Sequence, residues 1–367
     1  MIAAACLLAW AWLLALHGRF WRSGPELPPS KPEHAPPVAI VVPARDEAET
    51  IAASIASLLA QDYAGELRVI LVDDGSSDAT AALAGALPDP LGRLAILTAA
   101  PRPPGWAGKL WAVHQGVAAS DAGLLLLTDA DIEHDRAHVA TLVAQLQHSG
   151  ADMASEMVRL HCQSWAERAL VPAFVYFFQL LYPFAWVNDT QRATAGAAGG
   201  TILIRRTALA RIGGIAAIKG ALIDDCALAA RVKRGGRIWL GHSRLARSIR
   251  RYPGFADIWR MVARSAYVQL RRSPLLLAAS TLGLALLFLA PPLYALFGHG
   301  WRQVAGALAW AAMAVSFVPT LSRYGREWFW AALLPAIACF YIAATIGSAL
   351  DHYRGRGVRW KARTYEI

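Results

Sequence analysis

Carboxylates recur at the ends of short apolar runs in this sequence. Pro43-Ala44-Arg45-Asp46-Glu47 follows residues 38–42, Asp73-Asp74-Gly75-Ser76-Ser77-Asp78 follows 67–72, and Thr128-Asp129-Ala130-Asp131 follows 124–127. Like charges brought together repel and raise one another's pKa unless a cation or hydrogen-bond donors offset them, so stability is a poor account of three such clusters. Asp129 and Asp131, two residues apart, can aim into one crevice. Such a pair of hard oxygen donors suits Mg²⁺ or Mn²⁺, with positions left open for phosphate oxygens. Asp and Ser also form caps and turns, and Asp74-Gly75-Ser76 taken alone fits that use equally. Asp224 and Asp225 stand ahead of a further helical stretch, where a pair serves either to cap a helix or to take a proton.

These carboxylates need a scaffold that brings distant segments to one edge. Residues 38–42, 67–72, 94–97 and 124–127 are short apolar runs. Residues 47–61, 80–87 and 110–119 lie between them, the first repeating apolar positions at helical spacing through Ile51, Ile55, Leu58 and Leu59. Apolar strands separated by helices predict parallel βαβ units with both sheet faces covered. In an open sheet of that kind ligands sit beyond the carboxyl ends of the strands, where Asp73, Asp74, Asp129 and Asp131 fall.

The chain has 367 residues, 56% hydrophobic and 17% charged, which excludes a disordered polypeptide. Runs at 275–297, 303–321 and 328–350 contain no Asp, Glu, Lys or Arg. They approach or exceed the roughly 20 residues that a membrane-spanning helix needs, so 274–351 is expected to hold transmembrane helices. Residues 1–16 are apolar and are followed by Arg19 and Arg22, the reverse of a cleaved secretory signal. Residues 1–22 are therefore expected to be an anchor with its C-terminal end in the cytoplasm. A Pro-rich linker at 23–37 leads into a domain over 38–273. Between Arg231 and Arg272 twelve Lys or Arg stand against one acid, Asp257. That band suits anionic headgroups of a bilayer, and no nucleic-acid-binding motif accompanies it. The four Cys residues show neither disulfide nor zinc spacing.

Topology carries a conflict. Residues 165–187 are rich in aromatics, but a single crossing there would put Asp129 and Asp225 on opposite sides of the membrane. Pro172, Pro183 and the aromatic rings instead fit a segment lying in the interface. If all three late runs cross, the basic tail at 352–367 ends outside, against the tendency of Lys and Arg to stay in the cytoplasm.

The pieces VVPARDE at 41–47, VDDGSSDAT at 72–80, GWAGKLWAVHQG at 105–116, LLTDAD at 126–131, GAAGGTILIRRTALARIGG at 196–214 and IDDCALAARVK at 223–233 together resemble an inverting glycosyltransferase of the large family 2. The arrangement of anchor, catalytic domain and late membrane segments, with the ending VRWKARTY, is similar to the hopene-associated glycosyltransferases and more distantly to ceramide glucosyltransferases. The resemblance implies an α/β chain with a GT-A type, Rossmann-like, mostly parallel sheet and helices on both faces. It also implies a multi-pass protein of the cytoplasmic (inner) membrane with its catalytic domain in the cytoplasm, a nucleotide-sugar donor, expected to be a UDP-sugar, and a membrane lipid acceptor in hopanoid biosynthesis. Polyprenyl phosphate or a glycerolipid is the alternative acceptor. Carried over, the resemblance assigns Asp73 and Asp74 to the uracil and ribose, with Pro43 and Glu47 supporting that pocket. It assigns Asp129 and Asp131 to a DxD pair holding the diphosphate through Mg²⁺ or Mn²⁺, Lys109 to the same diphosphate, and Gly199 and Gly200 to a sugar and acceptor loop.

Inversion needs a carboxylate to take the acceptor hydroxyl proton while a cation stabilises the departing diphosphate. The family's base is the Asp of an ED pair, which matches Asp224-Asp225 here and makes Asp225 the base. Asp224 replaces the usual Glu, so both carboxylates stay candidates. Residues 259–270 read WRMVARSAYVQL, without the QxxRW of processive polysaccharide synthases, which implies transfer of a single sugar. His114 stands where many relatives have Asn. A nucleotidyltransferase would need a Gly-rich basic loop after its first strand, where this chain has PARDEAET. A scaffold without chemistry would have no use for the ordered DD, GK and DAD pieces.

Overall fold

The computed structural model describes residues 1–355 and two short strands, Arg359–Trp360 and Arg363–Thr364, which pair antiparallel. The basic tail expected at 352–367 lies largely outside the described residues, Arg356 and Lys361 among them.

Eight strands form one sheet: β1 (Val38–Ala44), β2 (Leu67–Asp73), β3 (Leu94–Thr98), β4 (Leu124–Thr128), β5 (Ile132–His134), β6 (Met153–Arg159), β7 (Thr201–Arg205) and β8 (Ile238–Ser248), in the order β3-β2-β1-β4-β7-β6-β8-β5. The run β3-β2-β1-β4 is parallel, as the alternation of apolar runs and helices implies. The other half is mixed: β7 is antiparallel to both β4 and β6, β8 is parallel to β6, and β5 is antiparallel to β8. Side chains of a strand alternate between faces, and here each face has its own core. Val38, Ile40 and Val42 of β1 enter one with Val69, Leu71, Leu124 and Leu126. Ala39 and Val41 enter the other with Ile70, Val72, Leu125 and Leu127.

The helices are α1 (Ile2–Leu16), α2 (Ile51–Leu59), α3 (Thr80–Gly85), α4 (Gly108–Ala118), α5 (His138–Ser149), α6 (Trp165–Leu181), α7 (Phe184–Asn188), α8 (Arg206–Arg211), α9 (Asp224–Lys233), α10 (Phe255–Gln269), α11 (Pro274–Leu284), α12 (Ala290–Phe297), α13 (Trp301–Arg323) and α14 (Leu334–Tyr353). α11 and α12 are joined by a π turn at Ala285–Leu289 into one rod. Among the described residues three segments, Pro274–Phe297, Trp301–Arg323 and Trp328–Tyr353, are long and apolar enough to cross a membrane. α1 docks on the π turn: Trp10 Nε1 donates to Leu287 O at 2.8 Å and Cys6 Sγ to Leu286 O at 3.2 Å. A π turn frees carbonyls from the regular ladder, and these two find side-chain donors.

The aromatic segment becomes α6, with Pro172 inside it, and α7. Tyr176 packs on Phe20 and Phe317, and Phe177 on Phe288 and Tyr341. The core on that face of the sheet therefore continues without a break into the apolar helices. The Pro-rich linker is a strap laid over α5 and its neighbours. Ser30 N donates to Thr141 Oγ1 at 3.1 Å, Gln147 Nε2 to His34 O at 2.7 Å, and Tyr63 OH to Pro36 O at 2.6 Å.

α4 approaches the sheet closely because Gly116 has no side chain. A Cβ there would lie 2.5 Å from Val41 Cγ1 and 3.0 Å from Val72 Cγ2. Gly116→Val is therefore expected to cost about 2 kcal/mol or more through overpacking. A lowered Tm in detergent checks it, and an unchanged Tm would mean that α4 does not seat there.

Candidate active site

Three segments at one edge of the sheet supply the central charged groups. Asp129 and Asp131 follow β4. Lys109 lies in the first turn of α4, and Asp224 and Asp225 are the first two residues of α9. Lys109 Nζ stands 2.9 Å from Asp129 Oδ1 and 3.1 Å from Asp224 Oδ2, bridging the DAD and DD pieces. Burial works to depress the Lys109 ammonium, but the two aspartates more than offset it and hold its pKa above the ordinary lysine value. Burial pushes the Asp129 carboxyl up, Lys109 opposes that, and Asp131 adds to it.

Asp225 is pushed up to about 6, by burial first and by the neighbouring Asp224, with Lys109 opposing. Its Oδ1 accepts from Cys226 N at 2.7 Å. A Cβ on Gly199 would fall 3.2 Å from Asp225 Oδ2, so a side chain on that loop would crowd the carboxylate. Pro43, Lys109, Asp129, Gly199, Asp224 and Asp225 line one small pocket. Gly200 plays a different part: its carbonyl accepts from Thr128 Oγ1 at 2.8 Å, and a Cβ would come within 2.9 Å of Val158.

Asp73 ends the neighbouring strand β2 and Asp74 opens the loop after it, both buried. Asp73 Oδ1 accepts from Ser76 N at 3.2 Å and from the Ser76 hydroxyl, and Arg45 Nη1 donates to Asp74 O at 2.5 Å. The loops after β1 and β2 interlock further through Asp46 Oδ1, which accepts from Ser77 N at 2.7 Å, and through Glu47 N, which donates to Thr80 Oγ1 at 2.8 Å. Neither Asp73 nor Asp74 lines the pocket that holds Asp225. His114 packs with Trp106 and Trp111, ring centroids 4.9 and 5.4 Å away.

Sequence reasoning missed Arg250. Its Nε is 2.5 Å from Asp131 Oδ2 and its Nη2 lies 2.7 and 2.8 Å from the Glu47 carboxylate oxygens. The register of β5 on β8, Ile132 opposite Ser248, continues in a bond from Ile249 N to Asp131 O at 2.9 Å and so carries Arg250 to the turn holding Asp129 and Asp131. Arg250 belongs to the basic band, and the structure divides that band. Arg244 pairs with Glu26, Arg247 with Glu133, and Lys233 Nζ donates to three backbone carbonyls at 2.6–3.0 Å. Much of the band thus holds the domain together, while Arg260, Arg264 and Arg272 border the cleft on and beyond α10.

Also unread in the sequence is a buried chain beneath the turn that holds Asp129 and Asp131. Thr128 Oγ1 gives its proton to Gly200 O, so it accepts from His134 Nε2 at 3.1 Å. The unprotonated His134 Nδ1 then accepts from His138 Nδ1 at 2.8 Å, and His138 Nε2 meets Glu156 Oε2 at 2.9 Å. Burial, with His138 beside it, holds the His134 pKa well below the usual histidine range, in keeping with a neutral ring. The chain ties the end of β4 to the glycine loop.

A cleft of about 760 Å³ extends from Glu47, Asp129 and Asp131 along α10 to Ser348, Asp351 and His352 at the end of α14. Among the described residues no cluster of three or more metal-ligating side chains occurs. Two carboxylates alone fit a hard cation of the Mg²⁺ or Mn²⁺ kind, which keeps waters and takes its remaining oxygens from phosphates.

A parallel-to-mixed sheet with helices on both faces and carboxylates gathered at one edge is a GT-A type fold. The family model for glycosyl transferase family 21 matches residues 1–367, and the chain belongs to that family. An N-acetylglucosaminyltransferase of Bradyrhizobium elkanii is 31% identical over 138 residues, 35% of this chain and 71% of the relative. The succinoglycan biosynthesis protein ExoO of Rhizobium meliloti (strain 1021) is 34% identical over 124 residues, so the match spans about a third of that relative's length. ExoU of the same strain is 36% identical over 94 residues, about a quarter of its length. Among solved structures, a mannosyltransferase of Pyrobaculum calidifontis in complex with GDP-Man and Mn²⁺ has the same fold, with a TM-score of 0.57 at 20% identity over 95% of this chain and 99% of that one.

Proposed function

We propose that this glycosyltransferase moves one sugar, with inversion, from a UDP-sugar to the hydroxyl of a membrane lipid, working on the cytoplasmic face of the inner membrane. The observation that carries the reading is the juxtaposition of Asp225, raised toward neutrality, with the Asp129–Lys109–Asp224 chain in one pocket. Asp225 takes the acceptor hydroxyl proton as that oxygen bonds to the anomeric carbon, and the anomeric carbon–oxygen bond to the diphosphate breaks on the opposite side. Lys109 and Arg250 lie where the negative charge of the departing diphosphate develops, and freeing them from Asp129 and Asp131 supplies two cations to it. Asp129 and Asp131 are the residues that would hold Mg²⁺ or Mn²⁺, which when bound neutralises diphosphate charge. Asp73 and Asp74 are assigned to the uracil and ribose with Pro43 and Glu47 supporting them, and Gly199 and Gly200 to the sugar loop.

The lipid acceptor is supported by the cleft itself, which leaves the carboxylates and ends among α10 and α14 beside the apolar helices. A hopanoid rests on the resemblance to hopene-associated enzymes. The arginines at the outer end of the cleft favour the second reading, an acceptor with an anionic headgroup such as a polyprenyl phosphate or a glycerolipid. Purified protein in detergent, screened against nucleotide sugars and lipid extracts with mass spectrometry of the product, tests both. Metal-dependent release of UDP with a glycosylated lipid is expected. Release of pyrophosphate instead would assign a nucleotidyltransferase, and no turnover with any lipid would sink the acceptor class.

A further inference from the structure

Trp328–Tyr353 has the length and composition of a membrane-crossing segment, yet both of its ends meet the catalytic domain. Just upstream, Arg323 pairs with Glu26 of the strap and donates through Nε to Ser23 Oγ at 3.2 Å. Tyr324 is buried, and its hydroxyl accepts from Leu160 N, just past β6, at 3.4 Å. The chain then runs back along α13. Ala332 O accepts from Trp310 Nε1 at 3.2 Å, and Trp310 lies about 20 Å from the Arg323 end of that helix.

From there α14 returns. Tyr341 OH donates to Leu170 O of α6 at 2.8 Å. The Phe340 ring meets Phe255 and Trp259, and Gly347 leaves room for Trp259, since a Cβ would fall 2.5 Å from its ring. Ser348 Oγ accepts from Tyr267 N at 3.1 Å, and Tyr353 OH lies 2.8 Å from Tyr267 OH. From Phe340 to Tyr353, α14 therefore runs parallel to α10. Its last turns, with Ser348, Asp351 and His352, line the same cleft as Lys109 and Asp129. A helix ending on the far side of a hydrocarbon layer about 30 Å thick could not share a cleft with Asp129.

We infer that Trp328–Tyr353 is a re-entrant hairpin that enters and leaves the membrane on the catalytic side, and that the end of α14 is the membrane-side wall of the acceptor chamber. Among the described residues, only Pro274–Phe297 and Trp301–Arg323 then cross after the anchor. Tyr353 emerges on the side of Asp225, which removes the charge conflict posed by three late crossings. Polar Asp351 and His352 are thereby spared the hydrocarbon, where a charge is expensive. The inference rests on the membrane setting of the proposed function and not on its chemistry.

The test uses the full chain with a short epitope inserted after Pro29, His299 or Gly355, all exposed positions, probed with antibody on intact and permeabilised spheroplasts. The expected result is a tag at 299 that is reached in intact spheroplasts, and tags at 29 and 355 that are reached only after permeabilisation. A tag at 355 on the same side as 299, or one at 299 on the same side as 29, overturns the inference. Tags at 29 and 355 both outside with 299 inside would leave the hairpin standing and refute the cytoplasmic orientation of the catalytic domain. Should an insertion prevent folding, His299→Cys and Arg354→Cys labelled with an impermeant maleimide give the same reading, with the native chain as the blank for its four cysteines.

Discussion

Asp225→Asn should lower turnover about 10²–10⁴-fold while donor binding survives, the usual cost of removing a positioned base. The substitution nearly preserves size and keeps an acceptor oxygen for Cys226 N, so the start of α9 should hold. Because burial and Asp224 push the Asp225 carboxyl up to about 6, and only the carboxylate can take a proton, kcat/KM of the wild type should fall as pH drops below about 6. The residual rate of Asp225→Asn should lack that limb. The same raised pKa separates lost chemistry from lost fold. From the ordinary 3.8 to about 6 the folded chain holds a proton that the unfolded chain releases, so this group's contribution to stability declines over that window and stays lost above it. Asp225→Asn is accordingly expected to be no less stable than the wild type at pH 7. Near wild-type turnover in Asp225→Asn with loss in Asp224→Asn would move the base by one residue, and activity retained in both would end the ED correspondence.

The second large effect is on the donor. Asp131→Ala should weaken Mn²⁺-dependent UDP binding in calorimetry about tenfold or more, since even outer-shell partners of a metal ligand cost 10–100-fold when removed. In the structure Asp131 shares Arg250 with Glu47, and Asp129 shares Lys109 with Asp224. Asp129 and Asp131 thus each have their own cation, and removing Asp131 leaves Arg250 on Glu47 while Asp129 keeps Lys109. UDP binding in Asp131→Ala should therefore become nearly indifferent to chelator. Metal dependence that survives unchanged would remove Asp131 from the metal assignment, and loss of all UDP binding with or without metal would make it a structural partner of Arg250 instead.

The strand–helix alternation and the carboxylates at strand ends were legible because their signal is local. A buried parallel strand must be apolar over its whole length, and the polar residues directly after it fall at the edge where ligands bind. Residues 38–42, 67–72 and 124–127 stand within β1, β2 and β4, while the helix expected over 47–61 contracts to Ile51–Leu59, because Glu47 turns back to Thr80. Arg250 was invisible for the opposite reason. Its partners lie 119 and 203 positions away, and in a run of twelve bases nothing local marks the one that β8 will carry to the turn holding Asp129 and Asp131. Thr128, His134, His138 and Glu156 likewise have ordinary sequence neighbours, and only burial makes a chain of them.

The order of elements, the apolar segments and the residue types at each strand end follow from the sequence alone, because hydrophobic periodicity and turn chemistry act over a few residues. Tertiary structure decided which charges meet: Lys109 between Asp129 and Asp224, Arg250 between Asp131 and Glu47, and Asp225 buried enough to rise toward neutrality. It also decided where the last apolar segment packs. Length and composition admit a crossing equally with a return, and the packing of α14 along α10, through Trp259, Tyr267 and Ser348, is a set of long-range contacts that no window of sequence contains.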